Sequence, residues 1–199
     1  MDFECWLHVL WKMMNDFLNK RCIMNKNILL ILLSVMIIIN LNISDSIAND
    51  KKTDVKWWSF DKGLDQVVKE KKHVLIDFYT DWCHWCKVMD EKTFSDKDVA
   101  NNLKQRFITI RLEAENTTQT ATFQGKTYNN AELTRAFGVS GFPTVIFLNH
   151  KSEIITKIPS YVPPEDFINI LEYIDQECYI KNISFEDFLK NKGECDTKK

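Results

Sequence analysis

Apolar and polar residues alternate along the chain in patterns that predict strands separated by helices. Residues 73–79 (HVLIDFY) form an almost continuous apolar run, which is typical of a strand covered on both faces. Residues 107–112 (FITIRL) alternate and are rich in β-branched side chains, which predicts a second strand. Residues 144–148 and 153–158 flank the polar turn 149–151, and this arrangement predicts a hairpin.

Helical periodicity and capping residues predict helices between and after these strands. Asp61 and Ser95 are expected N-caps, and Gly138 is suited to a left-handed C-cap. Residues 113–130 are polar and long for a loop, so we interpret them as a surface insertion. The predicted helices are residues 61–71, 83–92, 96–105, 131–137, 164–178 and a last one that starts at Ser184. Strands that alternate with helices before a final hairpin predict an α/β sandwich with a mixed central sheet flanked by helices, plus an extra C-terminal helix.

The N-terminal part of the chain has the pattern of a secretory signal. An apolar run at residues 28–39 follows a short segment with a lysine and precedes small residues that allow cleavage after Ala48. Because this run is shorter than the ~20 residues of a membrane-spanning helix, a retained N-terminal anchor is the alternative. The residues before Met24 fit a signal badly, so Met24 is a candidate true start, with a cytoplasmic tail as the other interpretation. We therefore divide the chain into residues 1–48, a signal peptide or anchor, and residues 49–199, a folded domain.

Composition narrows the class of protein. With 45% hydrophobic and 12% aromatic residues, the chain can bury a proper core. A formal net charge of −2 without a concentrated basic face gives no indication of a nucleic-acid partner. Six cysteines are too few for a miniprotein built on disulfides, and Cys5 and Cys22 precede the folded domain. Cys178 and Cys195 either pair and tie the last helix to the domain, or remain as a buried and a free thiol.

The cysteines that carry chemistry are Cys83 and Cys86, which follow the buried strand at the start of a predicted helix. This is the context of a redox Cys-x-x-Cys pair. A thiolate at a helix N-terminus is favoured by the unpaired amides and the helix dipole, so Cys83 is the expected nucleophile. Cys86 lies one turn further and is placed to attack the mixed disulfide that results. His84, if protonated, would stabilise the thiolate further, or it is a solvated residue without a role.

Other uses of this cysteine spacing fit the chain less well. A structural zinc site needs a second pair at suitable spacing, which Cys178 and Cys195 do not supply. Covalent haem attachment needs a histidine directly after the pair, where this chain has Lys87. An iron–sulfur cluster needs more cysteines nearby. A static disulfide is the remaining alternative, so neither a metal nor a cofactor is expected.

Two sequence blocks resemble the thioredoxin superfamily. Residues 74–87 (VLIDFYTDWCHWCK) resemble its active-site block, and residues 137–144 (FGVSGFPT) resemble its second block. Two motifs in this order and separation are highly specific. The resemblance covers about residues 57–174. It is closest to small exported bacterial thioredoxin-related proteins and to the C-terminal domain of the thiol:disulfide interchange protein DsbD. It implies a thioredoxin-like fold.

The resemblance also implies roles for individual residues. Pro143 would form a cis peptide bond beside the Cys83 sulfur and turn the backbone of Phe142 toward a bound substrate strand, unless it is an ordinary loop proline. Asp77 would be a buried acid that accepts the proton of Cys86, with a structural hydrogen-bonded acid as the alternative. Arg111 could pair with Asp77 and would lower its pKa, while burial would raise that pKa. Trp82 would shield the site, or it only packs.

The chain departs from the family pattern at several positions. His84 and Trp85 replace the usual Gly-Pro between the cysteines, and Trp85 is expected to shape partner choice at the rim. Ser160 stands where the family usually has glycine. The insertion at residues 113–130 is longer than in a plain thioredoxin and is a candidate partner-binding surface.

The function implied by the resemblance is thiol–disulfide exchange outside the cytoplasm. We expect a monomeric reductant of disulfide-containing envelope proteins, recharged by a membrane thiol donor. It would lie in the periplasm or cell envelope, or be anchored to the inner membrane. Two alternatives stay open: a thiol oxidase or isomerase of the same fold, and a non-enzymatic binding module with a static disulfide.

Overall fold

The structure is a computed structural model and describes residues 55–195. The predicted signal or anchor at residues 1–48, with Cys5 and Cys22, lies outside the described residues, so these predictions stay predictions. The helices are α1 Phe60–Glu70, α2 His84–Met89, a π-helical segment Asp90–Phe94, α3 Lys97–Arg106, α4 Asn130–Ala136, α5 Pro164–Asp175 and α6 Phe185–Lys190. The strands are β1 His73–Tyr79, β2 Phe107–Glu113, β3 Thr120–Phe123, β4 Lys126–Asn129, β5 Thr144–Leu148 and β6 Ile154–Pro159.

The central sheet has the strand order β2-β1-β5-β6. Strand β1 pairs in parallel with β2, and β5 runs antiparallel to both of its neighbours, β1 and β6. The predicted mixed sheet flanked by helices is therefore confirmed. Six of the seven residues of β1 are buried, as its apolar run predicted, because helices cover both faces of the sheet.

Successive residues of β1 pack into two separate cores. Val74, Ile76 and Phe78 face a core with α1 and α4, whereas Leu75 faces a core with α3 and α5. Side chains alternate between the two faces of a strand, so Asp77 is on the same face as Leu75. That second core also contains Met89 and Phe94, from the helical region that follows the cysteine pair. The site is therefore built over the second core.

The predicted surface insertion contains a hairpin that the sequence did not reveal. Strands β3 and β4 pair antiparallel through a turn in which Gln124 and Gly125 both have positive φ. Such a two-residue turn matches the twist of the strands, but its first residue is usually Asn or Asp, so the sequence signal was weak. Phe123 packs on Phe137 with ring centroids 4.8 Å apart. The hairpin is thus docked on the first core.

The hairpin also explains a wrong capping prediction. Asp61 does not cap α1, whose N-cap is Ser59. Instead, the Asp61 carboxylate accepts a hydrogen bond of 2.7 Å from the backbone N–H of Thr122 in β3. The side chain that the local sequence assigned to the helix end therefore binds a backbone N–H far away in the sequence.

The predicted helix at residues 83–92 has a different form, because α2 passes into the π-helical segment Asp90–Phe94. Ser95 was also a wrong N-cap prediction for α3. Asp96 is the cap, and its carboxylate accepts from two backbone N–H groups of the first turn. The hydroxyl of Ser95 donates instead to the carbonyl of Glu91. Gly138 adopts a positive φ directly after Phe137, the C-cap residue of α4, as its C-capping role predicted.

The extra C-terminal helix is present as α6, capped by Ser184. Cys178 and Cys195 form a disulfide with a Cα–Cα distance of 5.4 Å, which decides the alternative that the sequence left open. Both cysteines and Phe188 of α6 are buried in a small third core. Helix α5 ends at Asp175, before Cys178. Within residues 55–195, no helix is both long enough and apolar enough to cross a membrane.

Candidate active site

The cysteine pair lies between the end of β1 and the start of α2. Cys83 is the N-cap of α2, and its Sγ accepts a hydrogen bond of 3.0 Å from the backbone N–H of Cys86. The two cysteines form a disulfide with a Cα–Cα distance of 5.3 Å. Their overall exposures, 4% and 3%, do not distinguish them. The backbone donor does, because it is directed at the sulfur of Cys83 alone and would stabilise a thiolate there.

Asp77 lies in the middle of β1, opposite Arg111 of β2 and Val145 of β5. The residue is only 1% exposed. Burial raises the pKa of its carboxyl group to about 7, although the charge of Arg111 acts in the opposite direction, and the charge of Asp90 raises this pKa further. Of the two opposing effects expected from the sequence, burial is thus the stronger. A carboxyl group with this pKa can both take up and release a proton near neutral pH.

Arg111 is shared between two carboxylates. Its Nη2 donates to both oxygens of Asp90 at 2.6 and 2.7 Å. Its Nε lies 3.1 Å from Oδ2 of Asp77, but the N–H is not directed at that oxygen. Among the described residues, neither oxygen of Asp77 receives an aligned hydrogen bond. The guanidinium also lies 4.5 Å from the ring centroid of Tyr79 and 5.0 Å from that of Trp57, which fix its position.

The second sequence block forms the loop before β5. The peptide bond between Phe142 and Pro143 is cis, as the resemblance implied. The carbonyl of Pro143 accepts a hydrogen bond of 2.9 Å from the backbone N–H of Ser160. Ser160 has a φ of 99°, a region that favours glycine, so the departure noted in the sequence falls on a position that is strained for a serine.

Aromatic side chains surround the cysteine pair. Trp82 and Trp85 are 68% and 55% exposed, although they are directly next to Cys83 and Cys86 in sequence. The ring of Trp82 contacts Phe142 edge-on, with centroids 6.2 Å apart. The ring of Trp85 contacts Tyr161 at 5.5 Å and His84 at 5.7 Å. Exposed rings at a buried disulfide form a surface suited to contact with another protein.

Of the eight residues that the sequence marked, Cys83 and Cys86 form a disulfide, Trp82 contacts Phe142, and Trp85 contacts His84. Asp77 and Pro143 are buried, and the roles assigned to all eight residues stay predictions. Sequence reasoning missed Asp90, Glu115 and Tyr161. Asp90 had a signal, since a spacing of four residues places it on the same helical face as Cys86. Glu115, whose carboxylate accepts a hydrogen bond of 2.9 Å from the Trp82 indole, lies in the insertion 113–130, which was marked only as a whole as a candidate partner surface, and Tyr161 had no signal.

Comparisons with known proteins agree with this geometry. Residues 60–175 match the family model of the thioredoxin-like domain. The chain is 29% identical over 105 residues to the thiol:disulfide interchange protein DsbD of Actinobacillus pleuropneumoniae, which is 52% of this chain and 16% of that protein. It is 31% identical over 103 residues to DsbD of Yersinia pestis, which is 51% of this chain and 16% of that protein. The chain thus matches about one sixth of the length of these relatives.

Solved structures show the same fold. A thioredoxin from Thermus thermophilus matches with a TM-score of 0.50 and 24% identity, covering 60% of this chain and 86% of that one. A thioredoxin-fold protein from Helicobacter pylori matches with a TM-score of 0.52 and 19% identity, covering 74% of this chain and 91% of that one. This fold, with a Cys-x-x-Cys pair at the start of a helix, is consistent with protein-disulfide exchange.

Proposed function

This chain belongs to the thioredoxin-like family, and from that premise we propose that it is a thiol–disulfide oxidoreductase that reduces disulfides in other proteins. The observation that carries the proposal is the hydrogen bond from the backbone N–H of Cys86 to Cys83 Sγ, at 3.0 Å and at the start of α2. This donor favours the thiolate of Cys83 in the reduced enzyme and makes Cys83 the attacking cysteine.

The reaction is a transfer of two electrons from the reduced cysteine pair to a substrate disulfide. The Cys83 thiolate attacks one substrate sulfur, the substrate S–S bond breaks, and a mixed disulfide forms while one substrate thiolate leaves and takes up a proton. The Cys86 thiolate then attacks Cys83 Sγ. The mixed disulfide breaks, the Cys83–Cys86 disulfide forms, and the second substrate thiol is released.

Asp77 is the proposed base in the second step. Cys86 must lose its proton before it attacks, and a carboxylate with a pKa of about 7 is matched to that transfer. In the part of the chain that the structure describes, no aligned donor reaches either Asp77 oxygen, which leaves the carboxylate available for the proton. Proton transfer through a bridging water is compatible with this role.

The proposed location is the cell envelope, and the proposed substrates are exported proteins with disulfides. Two observations support this: the signal-like pattern at residues 28–48, and the Cys178–Cys195 disulfide, since structural disulfides persist outside the reducing cytoplasm. A membrane thiol donor would return electrons to the pair. Fractionation of cells that express the tagged full chain tests the location, and recovery in the cytoplasm would overturn it.

A trapping variant tests the enzyme class. Cys86→Ser leaves Cys83 able to attack but removes the resolving thiol, so mixed disulfides should accumulate. They should appear as adducts on non-reducing gels and disappear on addition of dithiothreitol and in the control Cys83→Ser/Cys86→Ser. If no adducts form in cells, the pair is a static disulfide and the chain is a binding module.

The reduction potential of the Cys83–Cys86 pair tests the direction. Equilibration with glutathione or dithiothreitol buffers, followed by differential alkylation and mass spectrometry of the cysteine peptide, measures this pair separately from the other cysteines. A potential of about −270 mV would support a reductase, and one of about −120 mV would make the protein an oxidant. The second result would overturn the proposed direction but not the fold.

A further inference from the structure

Lys157 of β6 connects the central sheet to the loop that precedes β5. Its Nζ donates hydrogen bonds of 2.7 Å to the carbonyls of both Phe137 and Gly138, at the end of α4. We propose that Lys157 is a positioning residue that fixes the start of the loop 138–143 and thereby sets the affinity for protein disulfides through the backbone of Phe142. The part of this inference that concerns substrates rests on the proposed function.

The contact joins groups that complement each other. The last carbonyls of a helix have no partner within the helix, and a lysine ammonium beside them donates hydrogen bonds and opposes the negative end of the helix dipole. Phe137 is the C-cap of α4, and it is 4% exposed because its ring lies in the first core. The backbone N–H groups of Gly138 and Val139 close the end of α4 on the helix itself. Lys157 instead holds this end to the sheet.

Gly138 leaves room for the lysine amine. This residue has a φ of 64°, and a Cβ at its position would lie 3.1 Å from the Nζ of Lys157, which is a tight contact. A glycine here therefore allows both the left-handed end of α4 and the close approach of the amine.

Strand β6 holds the loop at both of its ends. At the far end, the backbone N–H of Ser160 donates to the carbonyl of Pro143 at 2.9 Å. Between the two anchors, Ser140 and Gly141 are exposed, and a Cβ added to Gly141 would meet no atom within 4 Å. The carbonyl of Gly141 accepts a hydrogen bond of 2.7 Å from the hydroxyl of Thr144, which belongs to the strand that the loop enters. Loss of the lysine anchor would therefore give the first part of the loop freedom to move.

This freedom would affect the binding of a substrate more than the chemistry of the cysteines. The loop ends beside the site, where the ring of Phe142 lies 6.2 Å from that of Trp82. A loop that is ordered before binding loses less entropy when a substrate chain contacts it. Cys83 is held by a different element, since it is the N-cap of α2. Removal of the anchor should therefore weaken binding and leave the reactivity of Cys83 as it is.

The test compares Lys157→Met and Lys157→Arg in the full chain, with insulin as the protein disulfide substrate and dithiothreitol as the electron donor. Methionine keeps an unbranched apolar stem but has no donor, so we expect KM to rise about two- to tenfold, with kcat within twofold. Arginine keeps the charge and the donors, so its KM should lie between those of the wild type and Lys157→Met. Lys151→Met, in the exposed turn at the other end of β5, is the matched control and should leave both constants unchanged.

Two further measurements distinguish a positioning role from a purely structural one. Alkylation of Cys83 by iodoacetamide in the reduced protein, followed by mass spectrometry of the cysteine peptide, reports the thiolate without a protein substrate. Its rate should stay within twofold in Lys157→Met. NMR relaxation of the backbone amides should give lower order parameters for Ser140 and Gly141 in this variant and unchanged ones in Lys151→Met.

Three results would each overturn the inference. The first is a KM for insulin that does not change in Lys157→Met, even if thermal stability falls, because Lys157 would then act only as a helix cap. The second is a set of loop order parameters equal to those of the wild type. The third is an alkylation of Cys83 that slows in parallel with insulin reduction, since the substitution would then act on the thiolate rather than on the loop.

Failure of this inference and failure of the proposed function give different results. If the wild-type chain does not reduce insulin at all, the proposed function fails, and the claim about substrate affinity fails with it. The order parameters then still decide whether Lys157 positions the loop. If the wild type is active but the KM effect is missing, the enzyme class stands and the role of Lys157 does not.

Discussion

Replacement of the buried acid should make the protein more stable at alkaline pH. Asp77 has a pKa of about 7 in the folded protein, compared with 3.8 for an ordinary aspartate. Below pH 4 the carboxyl is protonated in the folded and unfolded states, and its burial has no ionic penalty. Between these two pKa values the unfolded state ionises first, so the free energy of unfolding falls as the pH rises. Above pH 7 both states are ionised and the full penalty remains.

The size of this effect follows from the shift. About three pKa units at 1.36 kcal/mol each give a penalty on the order of 4 kcal/mol above pH 7. The shift already includes the attraction of Arg111, because burial raises this pKa against that attraction. Asp77→Asn has nearly the shape of the protonated acid and cannot ionise. It should therefore be more stable than the wild type by up to about 4 kcal/mol at pH 8 and nearly equal to it at pH 4.

Urea denaturation of the oxidised wild type and of Asp77→Asn, repeated from pH 4 to pH 8.5, measures this difference. The difference between the two curves removes the contributions of other titrating groups. A difference that grows with pH from 4 to 7 and then levels off supports the reasoning. If the variant is less stable at pH 8, or if the difference does not change with pH, Asp77 is not a buried acid with a raised pKa. The variant should also resolve mixed disulfides more slowly, since it cannot accept a proton.

Three further substitutions have expected results. Asp90→Asn removes a negative charge and frees the guanidinium of Arg111 to turn toward Asp77, so the pKa of Asp77 should fall. An NMR titration of the Asp77 carboxyl group measures this pKa, and an unchanged value would contradict the prediction. Ser160→Gly relieves a φ of 99° and should raise stability by about 0.5–2 kcal/mol in thermal unfolding, whereas a loss would show that the side chain matters more than the backbone. Cys195→Ser removes the disulfide to Cys178 and should lower the free energy of unfolding by about 3 kcal/mol, while insulin reduction persists. Loss of insulin reduction would mean that this disulfide shapes the redox site.

The parts of the fold that the sequence predicted well are those with strong local signals. The apolar run of β1 and the hairpin β5–β6 were located to within a residue, because burial on both faces and a polar turn leave clear patterns. The hairpin β3–β4 was missed, since its strands have four residues each, are polar, and are stabilised by Phe123 on a distant core. The capping errors at Asp61 and Ser95 have the same origin, because tertiary partners or a better neighbouring cap took over the local role.

The same distinction applies to the candidate site and explains what a motif can predict. Cys83 and Cys86 are set by local sequence, because a strand followed directly by a helix places a sulfur next to an orphan amide. The proton affinity of Asp77 is set by residues far away in sequence. Arg111 comes from a neighbouring strand and donates hydrogen bonds to both oxygens of Asp90. Within residues 55–195, Asp77 receives no aligned hydrogen bond from it or from another side chain. An arginine beside a buried acid therefore does not imply a low pKa for that acid: burial raises the pKa of Asp77 more than the charge of Arg111 lowers it, and no periodicity in the sequence encodes that balance.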